Sequence, residues 1–398
     1  MIPQGYKHTE LGIIPQEWEV KQLVDCFDIS AGRDLIKDCF SEVRTAVFKY
    51  PIFSNSLEDK GLYGYTSKPR HKAGSVTITG RGALGVAEYR EEDFDAIVRL
   101  LVLSPRIEIC GKLIAEYINY RKPFFFESTG VPQLTAPQIS KTMIPVPPVE
   151  EQRKIAEILG VWDKAIELQA RLVDKLELRK RALMQRLLSG RHRLPGFSAP
   201  WQKVKLGDIG VLEKGYGVPK NKIITVGKKA ITYGEIYTKY DFVIRNFYSY
   251  IDSITANESK EISCGAILFA GSGETLEDIG KCVAFIDNDV AYAGGDIIVF
   301  NPTIKVNSLL LSYILNSPSV NSQKREYGQG HSVVHIYAKD LSKIKLLLPP
   351  IEEQTAIANV LSTADNEIDI AKAKLAAYRT QKRGLMQQLL TGKKRVKL

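Results

Sequence analysis

An internal repeat constrains the fold of this chain more than any other feature of its sequence. The hexapeptide PPVEEQ at 147–152 recurs as PPIEEQ at 349–354, an offset of 202 residues. At the same offset, LMQ at 183–185 matches LMQ at 385–387. The match extends over more than 40 positions without an insertion. The chain therefore contains two copies of one structural unit, and its fold has to accommodate both.

Each copy carries the start and stop signals of one long helix. Two prolines and a Glu-Glu pair open it, which suits the exposed N–H groups and the positive dipole end of a first turn. Gly190 and Gly392 follow the last apolar pair, where a left-handed residue ends a helix. Between these signals, apolar spacings of three and four predict a coiled-coil seam over five heptads. The seam residues are Ile155, Leu159, Trp162, Ile166, Val173, Leu176, Leu183 and Leu187 in the first copy, and Ile357, Leu361, Ala364, Ile368, Ala371, Leu375, Tyr378, Leu385 and Leu389 in the second.

The length of these helices favours a coiled coil over an amphipathic helix lying on one globular core. About 39 residues at ~1.5 Å each span more than the width of one domain. Gln169, Lys180 and Lys382 are the polar members of the seam. The second helix leaves the second globule and can return toward the first, so we expect an antiparallel pair.

The segments that precede the two helices also correspond, although more loosely. Gly80-Arg81-Gly82 resembles Gly271-Ser272-Gly273, and both segments contain short β-like runs separated by Gly, Asn and Pro. The predicted order is therefore globule, helix, globule, helix. We place the globules at 1–146 and 191–348, the helices at 147–190 and 349–392, and a basic tail at 393–398.

Duplicated PP[VI]EEQ helices that end in LMQxLL[ST]G and separate divergent globules resemble the specificity (S) subunit of type I restriction–modification enzymes. The resemblance covers essentially the whole chain. It implies two α/β (α+β) target recognition domains, an antiparallel coiled coil and an internal pseudo-two-fold repeat. It further implies that each domain reads half of a bipartite site in double-stranded DNA. The helices are then a spacer and a platform for two methyltransferase (M) subunits, which restriction (R) subunits join.

Composition and charge agree with this resemblance and exclude several classes of protein. The formal net charge of +10 favours a polyanionic partner. No apolar run approaches the 18 or so residues of a membrane span, and no secretory signal is visible, so we expect no membrane partner. Five scattered cysteines without a C-x-x-C pair indicate reduced thiols in a cytoplasmic protein.

The family resemblance implies a chain without catalysis, and the motifs agree. There is no phosphate loop of the Walker type and no N-P-P-[FY] run of amino-methyltransferases. We therefore expect no cofactor and no metal on this chain, with S-adenosylmethionine, ATP and Mg on the partner subunits. Residues 80–85 match G-x-G-x-x-G but precede a strand-like run, which favours a turn between strands over a dinucleotide site. His331 and His335 have zinc-helix spacing without the glutamate or a third ligand, so metal is disfavoured.

Two acid-free basic stretches, 60–87 and 214–234, favour phosphate anchoring beside groove readout over the alternative of two solvated loops. Arg70 and Arg81 are the best candidates for guanine contacts, because a guanidinium donates two hydrogen bonds to O6 and N7. A second candidate surface lies just before each helix. The full DNA-binding set is Lys60, Tyr65, Lys68, Arg70, His71, Lys72, Arg81 and Thr129 in the first globule, and Lys214, Tyr216, Lys220, Lys222, Lys228, Lys229, Tyr233, Gln329 and His331 in the second.

Two other functions stay open on the sequence alone. One is a free-standing DNA methyltransferase with an unrecognised active site, and the other is a non-specific nucleic-acid-binding protein. The basic tail favours a frayed, solvated end over an address signal.

Overall fold

The computed structural model describes residues 2–124, 132–330 and 333–397, and it divides into two compact units. Unit 1 comprises residues 1–170 and 373–398, and unit 2 comprises residues 171–372. Each unit therefore contains one mixed α/β globule together with part of each long helix. The compact units do not follow the linear boundaries drawn from the sequence, because a coiled coil joins chain segments that are far apart in sequence.

The first globule is built around a four-stranded antiparallel sheet in the order β4-β11-β8-β9. A second sheet has the order β10-β6-β7-β5, with β10 parallel to β6, and β12 pairs with β3. Its elements are β1 (Tyr6–Thr9), β2 (Gly12–Pro15), β3 (Glu19–Gln22), α1 (Leu23–Cys26), β4 (Phe27–Ala31), β5 (Phe40–Ser41), β6 (Tyr50–Phe53), β7 (Leu62–Thr66), β8 (Val76–Ile78), β9 (Ala87–Tyr89), β10 (Asp95–Ala96), β11 (Leu101–Pro105), α2 (Gly111–Arg121), α3 (Ala136–Ser140) and β12 (Met143–Val146), and the long helix α4 (Val149–Leu188) follows.

The second globule repeats this plan. Its antiparallel sheet has the order β14-β22-β18-β20, its second sheet the order β16-β15-β21-β17, and β13 pairs with β24. Its elements are β13 (Gln202–Lys205), β14 (Gly210–Lys214), β15 (Lys228–Ile231), α5 (Tyr233–Thr238), β16 (Ser249–Ile251), α6 (Ser253–Asn257), β17 (Lys260–Ile262), β18 (Ile267–Ala270), β19 (Ser272–Gly273), β20 (Cys282–Ala284), β21 (Ala291–Ala293), β22 (Ile297–Pro302), α7 (Ser308–Leu315), α8 (Pro318–Tyr327), β23 (Val334–His335), α9 (Ala338–Leu341) and β24 (Lys345–Leu348), and the long helix α10 (Ile351–Leu389) follows.

Strand alternation explains why the central strands are apolar throughout. In β18, Ile267 and Phe269 pack into the core that contains α7 and the start of α10, whereas Leu268 and Ala270 pack into the core beneath the second sheet. Successive side chains of a strand point to opposite faces, so a sheet covered on both sides needs apolar residues at every position. The run Ile267–Ala270 therefore has no polar face.

The long helices α4 and α10 lie within the ranges 147–190 and 349–392 that the sequence analysis gave them. The prolines precede α4 and α10, and Gly190 and Gly392 have left-handed φ values of +69° and +68° just beyond the last turns. The predicted seam residues are all buried or half-buried, while Val161 and Ile370 on other faces are 65% and 69% exposed. In unit 1, Trp162 meets Tyr378 edge to face, with ring centroids 5.8 Å apart. This burial pattern is consistent with the predicted coiled-coil seam.

The polar seam lysines are paired across the helices. Lys382 Nζ lies 2.6 Å from Asp163 and 2.9 Å from Glu116 in unit 1, and Lys180 forms the corresponding pair with Asp365 in unit 2. These two pairs exchange under the offset of 202 residues. Burial raises the pKa of the Glu116 carboxyl. Burial lowers the pKa of Lys382, but the hydrogen bond to Asp163 and the charge of Glu116 together raise it by more. Such pairs fix the antiparallel register, because a slipped helix would leave a buried charge unpaired.

The second glutamate of each Glu-Glu pair has a role beyond the helix dipole. Glu151 is 1% exposed, accepts a 2.9 Å hydrogen bond from Trp18 Nε1 and pairs with Arg395 at 2.7 Å. In unit 2, Glu353 is fully buried, accepts from Trp201 Nε1 at 3.0 Å and pairs with Arg193 at 2.6 Å. We call each of these Trp–Glu–Arg triads a clamp. The expectation of a frayed tail is wrong for Arg395, because its guanidinium joins the end of one helix to the start of the other.

The glutamine that follows each clamp glutamate explains why the hexapeptide recurs. Gln152 accepts a 2.8 Å bond from the N–H of Cys110 and donates a 2.7 Å bond to the carbonyl of Pro147. Gln354 makes the same two contacts with the N–H of Asn307 and the carbonyl of Pro349. Each glutamine thereby satisfies backbone groups at a helix start and attaches α4 or α10 to the short helix of its own globule.

Candidate nucleic-acid interface

Three loops of the first globule meet at one end of its antiparallel sheet. The N–H of Gly32 donates to the carbonyl of Leu100 at 2.7 Å. The side chain of Asn55 accepts from the N–H of Gly80 at 2.7 Å and donates to the carbonyl of Val98 at 2.7 Å. We call residues 32–34, 80–82 and 97–99, with Asn55, the tip of globule 1. One asparagine side chain thus holds two of the loops in fixed relation.

The backbone of this tip is strained. Val98 and Arg99 have φ values of +54° and +59°, a left-handed conformation that non-glycine residues, and above all β-branched ones, rarely adopt. Gly80 is confined as well, because a Cβ on it would lie 2.9 Å from the carbonyl oxygen of Leu134 and 3.0 Å from that of Arg99. Strain of this kind persists only where surrounding contacts hold it, and it concentrates at functional sites.

The predicted turn at 80–85 is confirmed, since it joins β8 to β9 and no helix follows it. Arg81 lies on this turn and is exposed, as are Arg33 and Arg99 on the neighbouring loops. Within the described part of the chain, none of these three guanidinium groups has a hydrogen-bond or ion-pair partner. Sequence reasoning missed Asn55, Arg33 and Arg99, because only tertiary contacts bring them beside Arg81.

Several predicted residues of the first globule are engaged within the protein. Arg70 donates from Nε and a terminal nitrogen to Asp95 at 2.5 and 2.8 Å, so this edge of its guanidinium is occupied within the protein. Lys72 binds Asp93 at 2.9 Å. His71 stacks on Phe94 with centroids 5.3 Å apart, and burial lowers the pKa of its imidazole.

The remaining candidates of this globule are scattered. Lys60 is exposed beside a cleft of about 680 Å³ that Glu88, Asp163 and Lys382 also line, which is not the tip. Tyr65 is half-buried under the guanidinium of Arg44, and Lys68 is exposed. Thr129 lies outside the described residues.

The second globule has a tip with the same connections. The N–H of Gly215 donates to the carbonyl of Ile297 at 2.7 Å, as Gly32 does to Leu100. The N–H of Ile336 donates to the carbonyl of Gly271 at 2.9 Å, as Leu134 does to Gly80. Asp296 has a φ of +61°, close to that of Arg99. We call residues 215–217, 271–273 and 294–296 the tip of globule 2.

Tertiary structure joins one further predicted residue to this tip. Gln329 and His335 form a short antiparallel bridge, with N–H to carbonyl distances of 2.9 and 2.7 Å. His335 Nδ1 lies 2.9 Å from the hydroxyl of Ser272 on the tip, and Gln329 is exposed. His331 lies outside the described residues. The segment just before the second helix is therefore bonded to the buried residues 271–273, which the sequence analysis treated separately.

The basic residues of the second stretch divide into an ion-paired lysine and exposed lysines. Lys229 is held by Asp287 at 2.7 Å and Asp289 at 2.9 Å, and these hydrogen bonds raise its pKa. Tyr216 lies on the tip and is exposed, and the other exposed members are Lys214, Lys220, Lys222, Lys228 and Tyr233.

Two properties of the described residues bear on other functions. They contain no group of three His, Cys, Asp or Glu side chains placed to hold a metal ion. None of their helices combines the length and apolarity needed to cross a membrane.

Residues 15–178 and 199–377 each match the family model of the type I restriction modification DNA specificity domain. The chain is 24% identical over 433 residues to a specificity subunit assigned to the type I restriction enzyme MjaX of Methanocaldococcus jannaschii, with 99% of this chain and 97% of that one covered.

Solved structures share the fold at low sequence identity. The S subunit of a type I restriction–modification system from M. genitalium matches with a TM-score of 0.64 and 15% identity, covering 94% of this chain and 96% of that one. A chain from a structure on complex assembly and conformational transition of the type I R-M system matches with a TM-score of 0.55 and 17% identity, covering 95% and 99%. At these identities the likeness concerns the fold.

Proposed function

Because the chain belongs to the type I restriction modification DNA specificity family, we propose that it reads a bipartite, asymmetric site in double-stranded DNA for a multisubunit restriction–modification enzyme. Each globule reads one half of the site, and α4 and α10 set the distance between the halves. One observation carries this proposal. The two globules repeat the same loop connections at their tips but differ in the tip side chains, with Arg81 in one and Ser272 in the other. A shared frame with different side chains suits two half-sites of different sequence.

Partner subunits carry out the methylation and cleavage reactions in this proposal. Two methyltransferase subunits dock on the helices and bring S-adenosylmethionine, and restriction subunits join the assembly and bring ATP hydrolysis, Mg and cleavage. The chain itself is a non-catalytic adaptor that works in the cytoplasm, where its DNA lies. Its kinship with chains named as specificity subunits supports this assignment.

Methylation mapping tests the proposal directly. Cells that express this chain together with its methyltransferase subunit should acquire adenine methylation at one bipartite sequence, and cells that lack either chain should not. Replacing residues 1–145 with the first globule of another family member should change one half-site and leave the other intact. An uninterrupted site, or a change in both halves after the swap, would contradict the proposal that each globule reads one half-site.

Two binding measurements separate the alternative functions. Calorimetry with S-adenosylmethionine should detect no binding to the isolated chain, whereas a tight one-to-one complex would indicate a free-standing methyltransferase. A selection from random duplexes by the chain–methyltransferase complex should enrich one sequence, whereas equal recovery of all sequences would indicate a non-specific nucleic-acid-binding protein.

A further inference from the structure

The arginines at the tip of globule 1 differ from Arg44 and Arg106 of the same globule in their ion pairing. Arg44 is paired with Glu92 at 2.7 Å, and Arg106 is paired with Asp28 at 3.0 Å. Arg33, Arg81 and Arg99 have no such partner among the described residues, although all three are exposed. Three exposed guanidinium groups therefore lie on loops that meet at one end of one sheet.

These arginines extend from a platform that is held at several points. The N–H of Val98 donates to the carbonyl of Arg33 at 3.2 Å, and the N–H of Arg99 donates to the carbonyl of Gly32 at 3.0 Å. Asn55 joins the 97–99 loop to the turn that carries Arg81. Base recognition needs side chains positioned within a fraction of an ångström, and a loop fixed by such bonds provides that.

The matching positions in globule 2 hold different chemistry. The paired hydrogen bonds of the two tips place Tyr216 where globule 1 has Arg33, Ser272 where it has Arg81, and Asp296 where it has Arg99. Arg99 and Asp296 share the left-handed conformation, with φ values of +59° and +61°. The tip of globule 1 therefore presents three cationic hydrogen-bond donors. The tip of globule 2 presents the carboxylate of Asp296 and the hydroxyl of Tyr216, whereas Ser272 is buried and bonded to His335.

From this contrast we propose that Arg33, Arg81 and Arg99 determine specificity by reading guanines in the half-site of globule 1, and that Asp296 reads an amino-bearing base in the half-site of globule 2. A guanidinium donates two hydrogen bonds to O6 and N7 of guanine, whereas a carboxylate accepts from the amino group of cytosine. The inference rests on the proposed function and adds which residues read which kind of base.

The experiment uses the assembled complex of this chain with its methyltransferase subunit. Methylation rates are measured on duplexes that carry each base in turn at every position of both half-sites. Arg33→Gln, Arg81→Gln and Arg99→Asn should each weaken the preference for one guanine by roughly 5- to 150-fold, and they should leave the other half-site unchanged. Asn is chosen at position 99 because it tolerates the left-handed backbone. Asp296→Asn should alter the other half-site alone.

Arg106→Gln is the matched control, because Arg106 is an exposed arginine just beyond the opposite end of β11 from Arg99. It should leave both half-sites unchanged. The three tip variants overturn the inference if they keep full guanine preference. They also overturn it if they slow methylation equally on all sequences with a shallower salt dependence, because that result marks phosphate contacts. Thermal unfolding of each variant verifies that its fold is intact.

The wild-type complex distinguishes the two levels of failure. If it methylates no bipartite site, the proposed function is wrong and the variants are not needed to show it. If it methylates such a site but the half read by globule 1 contains no guanine on either strand, the proposed function stands and the arginine inference is refuted.

Discussion

Glu150 and Glu151 are neighbours in sequence, yet the structure gives them different surroundings. The Glu150 side chain is 72% exposed, whereas Glu151 lies in the clamp with Trp18 and Arg395. A hydrogen bond to a charged group contributes roughly 1.5–3 kcal/mol to stability, and an exposed carboxylate on a first turn contributes at most about 1 kcal/mol. The same residue type at adjacent positions therefore allows a matched comparison.

We predict that Glu151→Gln lowers the free energy of unfolding by roughly 1.5–3 kcal/mol, because the charge-assisted bonds to Arg395 are lost. Glu150→Gln should lower it by at most about 1 kcal/mol. Urea titrations followed by tryptophan fluorescence measure both values. Equal losses for the two variants would show that the clamp adds nothing to the ordinary effect of a charge on the first turn.

Lys324 is a second residue whose effect depends on burial. Its side chain is 1% exposed, donates a 2.8 Å hydrogen bond to the carbonyl of Gly280, and has its pKa lowered by burial to about 8. Between pH 8 and the ordinary lysine value of 10.5, the unfolded chain holds the proton that the folded chain has released. The contribution of this group to stability therefore rises with pH across that window.

We predict that wild-type protein gains roughly 3 kcal/mol of stability relative to Lys324→Met as pH rises from 8 to 10.5. Urea titrations at closely spaced pH values measure the difference. Lys305→Met removes an exposed lysine of the same globule and should give a curve parallel to wild type. Parallel curves for wild type and Lys324→Met would disprove the shift.

At the scale of elements, the long helices combine an apolar seam with paired charges. The seam pattern repeats every seven residues, so a whole heptad can be removed without rotating the apolar stripe. Two charge pairs, Asp163–Lys382 and Asp365–Lys180, join the helices. Asp163 and Lys180 are as far apart along α4 as Asp365 and Lys382 are along α10. A deletion placed between the pairs on both helices therefore preserves both.

We predict that removing residues 167–173 together with residues 369–375 shortens the spacer between the half-sites by about three base pairs, or abolishes methylation, and changes neither half-site sequence. Seven residues at ~1.5 Å each span about 10 Å, and a base pair rises ~3.4 Å. Methylation mapping reads the result. Removing 167–173 alone should destabilise the protein, because the charge pairs then fall out of register. A double deletion that methylates with the original spacer would show that the helices do not set the distance.

At the scale of the whole molecule, unit 1 is assembled from both ends of the chain. The hydroxyl of Tyr6 donates a 3.0 Å hydrogen bond to the carbonyl of Gly392, and Arg395 binds Glu17 as well as Glu151. In unit 2 the equivalent junction is continuous, because the chain passes from Gly190 through Arg193 to Trp201. The arginine and the tryptophan of the second clamp thus come from one continuous segment, whereas those of the first come from opposite ends of the chain.

We predict that a circular permutant, with residue 397 linked to residue 2 and new ends at Gly196, folds with a thermal midpoint within a few degrees of wild type and supports methylation of the same site. Gly196 lies in an exposed turn of the segment equivalent to the original ends. A control permutant opened at Gly384, inside α10, should be clearly less stable. Loss of folding in the Gly196 permutant would show that the order of the chain matters beyond the contacts of unit 1.

The parts of this protein that the sequence alone determined are those set by local patterns. The repeat, the two long helices, their apolar seam and the turn at 80–85 follow from periodicity, prolines, glycines and the repeat itself, and the structure has α4, α10 and a turn at these places. Residue spacing was informative there because a helix brings together residues three and four apart whatever surrounds it.

Only the tertiary structure decided how individual charged groups are used. Glu150 and Glu151 look alike in sequence, as do Arg70 and Arg81. Glu151 and Arg70 are nonetheless held in ion pairs with little exposed surface, whereas Glu150 and Arg81 are exposed. The contacts that separate them, Glu151 with Arg395 and Arg70 with Asp95, join residues 244 and 25 positions apart. No local pattern encodes such contacts, because the energy of a charged side chain depends on the solvent and partner groups that folding places around it.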